Sequence, residues 1–140
     1  MELTGGCLCK IVRYRIAEAP VTARACWCRM CQMIGGGSGT VNALFNTTAL
    51  TLNGELKEFT VIADSGNAMF GRFCPVCGTH VLVTSQRRPH FTAIRVGTLD
   101  DPNKVTRNHD LDVDGANLGS NRSQASPPRR TTSAGEINVA

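Results

Sequence analysis

The chain has 140 residues, of which 41% are hydrophobic, with seven cysteines and a formal net charge of +4. This length predicts one domain, because single cores usually occupy roughly 100–150 residues. The modest charge argues against a dedicated polyanion-binding protein, and the hydrophobic fraction argues against disorder throughout the chain. No segment approaches the roughly 18 apolar residues of a membrane span, and the N-terminus lacks the features of a signal peptide. We therefore expect a cytoplasmic protein, whose cysteines suit metal binding better than disulfides.

Short hydrophobic segments predict an all-β domain. Residues 10–16 alternate between apolar and polar side chains, which is typical of a half-buried strand. The pair Asn53-Gly54 predicts a tight hairpin between the strands on either side of it. One helical turn is predicted at 29–33, and no longer helix is indicated. Further strands are predicted at residues 21–25, 40–45, 49–52, 59–62, 69–73, 81–84 and 91–96.

The composition changes near residue 110. Residues 110–140 contain no aromatic residue and are dominated by Ser, Asn, Gly, Pro and Arg. Burial of such a segment could hardly offset an ordering cost of roughly 1–2 kcal/mol per residue for the backbone alone. We therefore expect a globular domain over residues 1–109 and a disordered or divergent tail over residues 110–140.

The seven cysteines form three short clusters, which are Cys7 and Cys9, then Cys26, Cys28 and Cys31, then Cys74 and Cys77. Thiolates are soft ligands that favour zinc, and a closed structural site takes four of them. Cys74-x-x-Cys77 followed by Gly78 has the form of a zinc knuckle, and Cys7-x-Cys9 can complete its set of four. The competing interpretation is a redox dithiol, but that motif normally opens a helix in a βαβ unit, which the pattern does not predict.

Three cysteines remain for a second site, at Cys26, Cys28 and Cys31. One interpretation closes this site with a histidine from elsewhere, for which the candidates are His80, His90 and His109. The other leaves the fourth position open for water or an external thiolate. A zinc ion with three thiolates is electron-rich and activates water poorly, but it suits the binding of a soft sulfur ligand.

Four motifs together resemble the glutathione-dependent formaldehyde-activating enzyme family, which also includes the centromere protein V-like proteins. In chain order they are TGGCLCKIVRY at 4–14, CWCRMCQ at 26–32, RFCPVCGT at 72–79 and VGTLDDP at 96–102. The resemblance covers roughly residues 3–109. It implies a β-tent fold of short strands in several coiled sheets. It also implies a structural zinc on the first and third cysteine clusters and a second, labile zinc on Cys26, Cys28 and Cys31.

Two features depart from the family pattern. Trp27 stands where members often carry histidine, which bears on access to the second zinc. After His109 the family usually continues with Ile-Trp and a further tryptophan-bearing segment, whereas this chain continues Asp110-Leu111-Asp112-Val113.

The family activity condenses formaldehyde with glutathione to S-hydroxymethylglutathione, a carbon-sulfur lyase reaction in reverse. By this resemblance we expect a zinc-dependent carbon-sulfur lyase with glutathione as co-substrate, whose sulfur becomes the fourth ligand of the second zinc. Arg24, Arg29 and Arg72 lie near cysteines and are candidates to pair with glutathione carboxylates. The alternative is a non-catalytic zinc module that binds a protein or nucleic-acid partner. The tail arginines make a weak nucleic-acid footprint without aromatic residues for base stacking, so a small-molecule partner is favoured.

Overall fold

A computed structural model describes residues 1–63, 65–106 and 138–139 of the chain. Within these residues the all-β prediction is confirmed, because ten short strands form two antiparallel sheets and the helices are short. The strands are β1 Leu3–Gly6, β2 Arg13–Ile16, β3 Thr22–Cys26, β4 Thr40–Asn46, β5 Leu50–Asn53, β6 Lys57–Ile62, β7 Ala68–Phe73, β8 His80–Ser85, β9 Phe91–Arg95 and β10 Asn138–Val139. The α-helices are α1 Arg29–Ile34 and α2 Asn103–Thr106, and 3-10 turns occupy Thr47–Ala49 and Val96–Thr98.

The smaller sheet has the strand order β1-β2-β5, and the larger sheet has the order β10-β6-β7-β8-β9-β4-β3. The segment after β9 fastens the two sheets together. Gly5 of β1 bridges Leu99, and the Tyr14 hydroxyl lies 2.8 Å from Thr98 Oγ1. This junction keeps the turn after β1 beside the larger sheet.

One buried cluster takes side chains from both sheets. Tyr14 and Ile16 of β2 are buried, with Arg15 between them exposed. On the larger sheet Phe45 and Ile94 are fully buried, and each such side chain contributes about 1.5–3 kcal/mol on leaving water. Because successive residues of a strand face opposite sides, the neighbours of these core residues are free to line a site.

Three strand predictions need correction. The strand predicted at residues 10–16 begins only at Arg13, because Lys10 has a φ of 66° and its N–H donates to the Cys7 carbonyl in a turn. The first strand, β1, is not predicted at all. The hairpin at Asn53-Gly54 is wrong, since β5 pairs with β2 whereas β6 pairs with β7 and β10. The chain passes from one sheet to the other at this point.

The predicted tail lies mostly outside the described residues. Its described part is β10, whose two residues pair with Thr60 and Phe59 of β6. The prediction for residues 110–140 as a whole therefore stays a prediction. Among the described helices, none has the length and apolar character needed to span a membrane.

Candidate metal centres and the adjoining cavity

The first and third cysteine clusters come together at the junction of the two sheets. Cys7 and Cys9 lie in the turn after β1, and Cys74 and Cys77 lie in the turn between β7 and β8. The four Sγ atoms all lie within 4.8 Å of one another, with Cys7 and Cys9 3.5 Å apart and Cys9 and Cys74 3.7 Å apart. A tetrahedral zinc with Zn–S bonds of about 2.3 Å places its sulfurs about 3.8 Å apart. The four thiols therefore fit a closed zinc site, which we call the four-cysteine site.

Backbone and hydroxyl groups orient these sulfurs. The Val12 N–H donates to Cys7 Sγ at 3.3 Å, and the Thr79 hydroxyl lies 3.1 Å from Cys77 Sγ. The hydroxyl and the N–H of Thr79 lower the pKa of Cys77 to about 5. Gly78 has a φ of 74°, a conformation that residues with a Cβ rarely adopt, and its N–H donates to the Cys74 carbonyl in the knuckle turn. The hydrogen bonds from Thr79 therefore favour the thiolate form of Cys77, which is the form that metals bind.

The remaining cysteines form a second group, which we call the three-cysteine site. Cys26 ends β3, Cys28 caps the start of α1 and Cys31 lies in its first turn, and their Sγ atoms lie within 4.8 Å of one another. Cys28 Sγ accepts a hydrogen bond from the Cys31 N–H at 3.4 Å. The neighbouring thiols Cys26 and Cys28, together with burial, raise the pKa of Cys31. Such close sulfurs cannot all ionise without a cation, and a thiophilic metal is the cation that suits them.

Among the described residues, no histidine joins the three-cysteine site. The His80 ring packs edge-on against Phe59 at 5.4 Å, and the His90 ring lies 4.3 Å from that of Phe91. His109 lies outside the described residues. The described part of the chain thus favours the interpretation with an open fourth position.

A cavity of about 660 Å³ opens onto the three-cysteine site. One of its walls is a face of the larger sheet, built from alternate residues of neighbouring strands. These residues include Arg24 and Cys26 of β3, Asn42 and Leu44 of β4, and Ala93 and Arg95 of β9. The intervening residues Ala23, Ala43 and Ile94 are buried in the core on the opposite face. The same strands therefore build the core on one side and the cavity on the other.

The cavity is cationic. Three arginines, Arg24, Arg88 and Arg95, line it, and no acidic residue is among its described lining residues. The other lining side chains are mainly apolar, including Leu44, Met69 and Phe91. Such a cavity suits a small anionic ligand with an uncharged centre.

The arginines proposed from sequence fall in different places. Arg24 lines the cavity, whereas Arg29 and Arg72 are not among its lining residues. Arg72 is instead paired with Glu58 on the neighbouring strand, with Nε to Oε2 at 2.8 Å. Sequence reasoning missed Arg88 and Arg95, although Arg95 does follow Phe91 and Ala93 at alternate positions of one strand.

Trp27 lies beside the three-cysteine site and constrains its surroundings. A Cβ on Gly39 would lie 2.9 Å from the Trp27 indole nitrogen and 2.4 Å from the Cys26 carbonyl oxygen. Only glycine therefore fits at this close approach. The Gln32 side chain also donates to the Trp27 carbonyl at 2.8 Å, which ties α1 to the residue between Cys26 and Cys28.

The sulfurs fall into the same two cysteine sets that the sequence resemblance implies, and those of each set lie within 4.8 Å of one another. The family model described as glutathione-dependent formaldehyde-activating enzyme matches residues 2–112 of the chain. The chain belongs to this family. Membership in the formaldehyde-activating enzyme family and the two cysteine sets together support a zinc-binding domain of this type.

The other comparisons are less informative about chemistry. A comparison with curated proteins finds no match. Among solved structures, the crystal structure of a Rhodobacter sphaeroides protein, a structural genomics target, is similar with a TM-score of 0.56 and 20% sequence identity. The similarity covers 72% of this chain and 93% of that chain. At this identity the likeness supports the fold alone.

Proposed function

We propose that this member of the formaldehyde-activating enzyme family is a zinc-dependent carbon-sulfur lyase. It interconverts glutathione and formaldehyde with S-hydroxymethylglutathione in the cavity above Cys26, Cys28 and Cys31. The observation that carries the proposal is the position of the three-cysteine site, which opens directly into a cationic cavity. A soft-metal position and an anion-binding cavity are the two features that an anionic thiol substrate requires.

The reaction joins a sulfur to a carbonyl carbon. The glutathione thiolate attacks formaldehyde, a carbon–sulfur bond forms, and the π pair of the carbonyl moves to the oxygen, which takes up the proton that the thiol has lost. A zinc ion on the three-cysteine site would supply one coordination position for that sulfur and keep it ionised near neutral pH.

The protein's own residues hold the substrate and limit water. The apolar walls at Leu44, Met69 and Phe91 leave little for water to hydrogen-bond, which strengthens the electrostatic interactions inside the cavity. Arg24 and Arg88 are exposed at the cavity and can attract the glutathione carboxylates. Holding the thiolate and the carbonyl in one small cavity raises the rate by proximity.

One observation favours a second candidate function, a non-catalytic module that binds a protein partner. Leu8, Ile11 and Val76 are 82%, 56% and 67% exposed, on the turns that carry the four-cysteine site. Exposed apolar side chains grouped on rigid turns can form a protein-binding surface. This surface lies at the four-cysteine site and does not involve the cavity.

The test is the exchange rate between formaldehyde and S-hydroxymethylglutathione, measured by NMR on the zinc-loaded protein. We expect the wild-type protein to accelerate this exchange and to hold two zinc ions per chain. The matched control is Cys28→Ser, which should lose the acceleration and one zinc equivalent while keeping its fold. Failure of the fully loaded wild-type protein to accelerate the exchange refutes the lyase and leaves the partner-binding module.

A further inference from the structure

Arg95 is a buried cation in the cavity wall that makes no ion pair with the part of the chain that the structure describes. The residue is 8% exposed, and its Nη1 donates to Thr40 Oγ1 at 2.9 Å and to Asn42 Oδ1 at 2.5 Å. Its Nε is buried without a hydrogen-bond partner among the described residues. The ion pairs in the described part of the chain are made by other arginines, Arg13, Arg15 and Arg72.

This arrangement is costly unless an anion arrives. A guanidinium has five N–H donors, and neutral oxygens of Thr40 and Asn42 use only the Nη1 group. Burying a charge without an opposite charge nearby is strongly unfavourable, because the charge loses its hydration. Arg95 lines the cavity, so an anion bound there can supply the missing charge and hydrogen-bond acceptor.

The register of the sheet places Arg95 in the cavity wall that also carries Cys26. Asn42 pairs with Arg95 across β4 and β9, and Thr40 pairs with Cys26 across β4 and β3. The Thr40 hydroxyl accepts a hydrogen bond from Arg95 Nη1 at 2.9 Å. Arg95, Cys28 and Cys31 all line the cavity and are all buried, whereas Arg24 and Arg88, which also line it, are exposed.

We propose that Arg95 binds the substrate carboxylate that is nearer to the reacting sulfur, which in glutathione is the glycine carboxylate. This carboxylate is fewer bonds from the sulfur than the γ-glutamyl carboxylate, so it matches the arginine that is buried in the cavity wall as Cys28 and Cys31 are. The more exposed Arg24 and Arg88 remain for the γ-glutamyl end. Arg95 therefore selects thiols with a free carboxylate on the C-terminal side of the cysteine. The inference rests on the proposed function, because it places the glutathione sulfur at the three-cysteine site.

The test compares two thiols that differ only at this carboxylate. The probes are glutathione and its glycinamide analogue, a neutral isostere, titrated calorimetrically into the zinc-loaded protein. We expect the wild-type protein to bind glutathione about 10- to 100-fold more tightly than the analogue, the range for one charge-assisted hydrogen-bonded pair. Arg95→Met should bind both thiols equally, with the affinity that the wild-type protein has for the analogue.

Two further variants make the comparison specific. Arg95→Lys keeps the charge but loses the planar fork, so it should retain only part of the preference. Arg15→Met removes one positive charge from the smaller sheet, where the arginine side chain is 67% exposed, and should keep the full preference. Zinc content and thermal melting establish whether each variant is folded. If Arg95→Met fails to fold, the wild-type preference and the Arg95→Lys variant decide the question.

The outcomes separate this inference from the proposed function. Equal wild-type affinity for both thiols, or a full preference in a folded Arg95→Met variant, overturns the role of Arg95 and leaves the lyase proposal standing. Loss of the preference in Arg15→Met shows that net charge is responsible and also overturns it. No wild-type binding of glutathione refutes the proposed function and this inference together.

Discussion

Replacing Cys9 with serine should destabilise the protein much more than replacing Cys28. The Cys9 side chain is exposed, so Cys9→Ser removes almost no core packing, and its effect reports the metal of the four-cysteine site. Cys28 is buried but lies within one short segment together with the other ligands of its site. Serine at position 28 can still accept the hydrogen bond that caps α1.

The expected magnitude follows from the separation of the ligands along the chain. The contact between Cys9 and Cys74 joins residues that are 65 positions apart. Closing a loop of that length costs the unfolded chain about 4 kcal/mol, whereas closing the short loop from Cys26 to Cys31 costs about 1.5 kcal/mol. In the folded chain these loops are already closed. Its free energy of metal binding at each site is therefore more favourable than that of the unfolded chain by at least the cost of closing the loop. Cys9→Ser should therefore lower the free energy of unfolding by about 4 kcal/mol, and Cys28→Ser by about 1.5 kcal/mol.

Urea unfolding at a fixed concentration of free zinc measures both values. A loss of about 4 kcal/mol is a large part of the free energy of unfolding of a typical domain, which is about 5–15 kcal/mol. It should lower the urea midpoint by more than about 1 M. Zinc content per chain, measured in parallel, should fall by one equivalent in each variant.

Equal losses of stability in the two variants would refute the argument from ligand separation. A Cys9→Ser variant with wild-type melting behaviour and two zinc ions would be more serious, because it would show that the four thiols do not share a structural metal.

Three further predictions concern an ion pair, a close backbone approach and the sulfur ligand of the three-cysteine site. Hydrogen bonds from Arg13, and to a smaller extent from Thr4, lower the pKa of Asp100 to about 2. In the unfolded chain the pKa is near 4, so the ionised carboxylate stabilises the fold above that pH. This stabilisation is lost as the pH falls toward 2. Asp100→Asn should lower the free energy of unfolding by at most about 1 kcal/mol at pH 6, because the side chains of Arg13 and Asp100 are 41% and 47% exposed. Near pH 2 the substitution should not change it, and urea unfolding at the two pH values measures the difference. Gly5→Ala should lower the melting temperature by roughly 5–10 °C, because its Cβ would lie 2.4 Å from the Thr98 carbonyl oxygen, and Gly97→Ala, with no atom within 4 Å, should not. Glutathione should protect one zinc equivalent from a chelator and S-methylglutathione should not, and equal protection by both would contradict a sulfur ligand at the three-cysteine site.

The cysteine sets could be predicted from sequence because each half of a set lies within a few residues. Cys7 and Cys9, and likewise Cys74 and Cys77, are paired by short spacing, and the structure needs only to bring the two turns together. The pairing partner of a strand cannot be predicted in this way, because it depends on residues that are far apart in the sequence. The chain does bend at Gly54, directly after the last residue of β5. However, β5 pairs with β2, and β6, the next strand, pairs with β7. A local turn signal carries no information about that choice.

The same limit applies to the charged residues of the cavity. Arg24 could be placed beside Cys26 because the two residues are two positions apart in one strand. Arg95 lies 69 residues after Cys26, and only the register of β3, β4 and β9 brings the two residues into one cavity wall. Short-range spacing ranked Arg29 and Arg72 as highly as Arg24, although neither lines the cavity.

The alternation of core and cavity residues along β4 and β9 restricts how this protein can change. Deleting one residue from β9 would move the guanidinium of Arg95 into the core and turn Ile94 toward the cavity. Changes of strand length would thus disturb the core and the lining of the cavity in a single step. Substitutions at Leu44 or Ala93 change the lining of the cavity, while Ala43 and Ile94 on the opposite face continue to hold the fold.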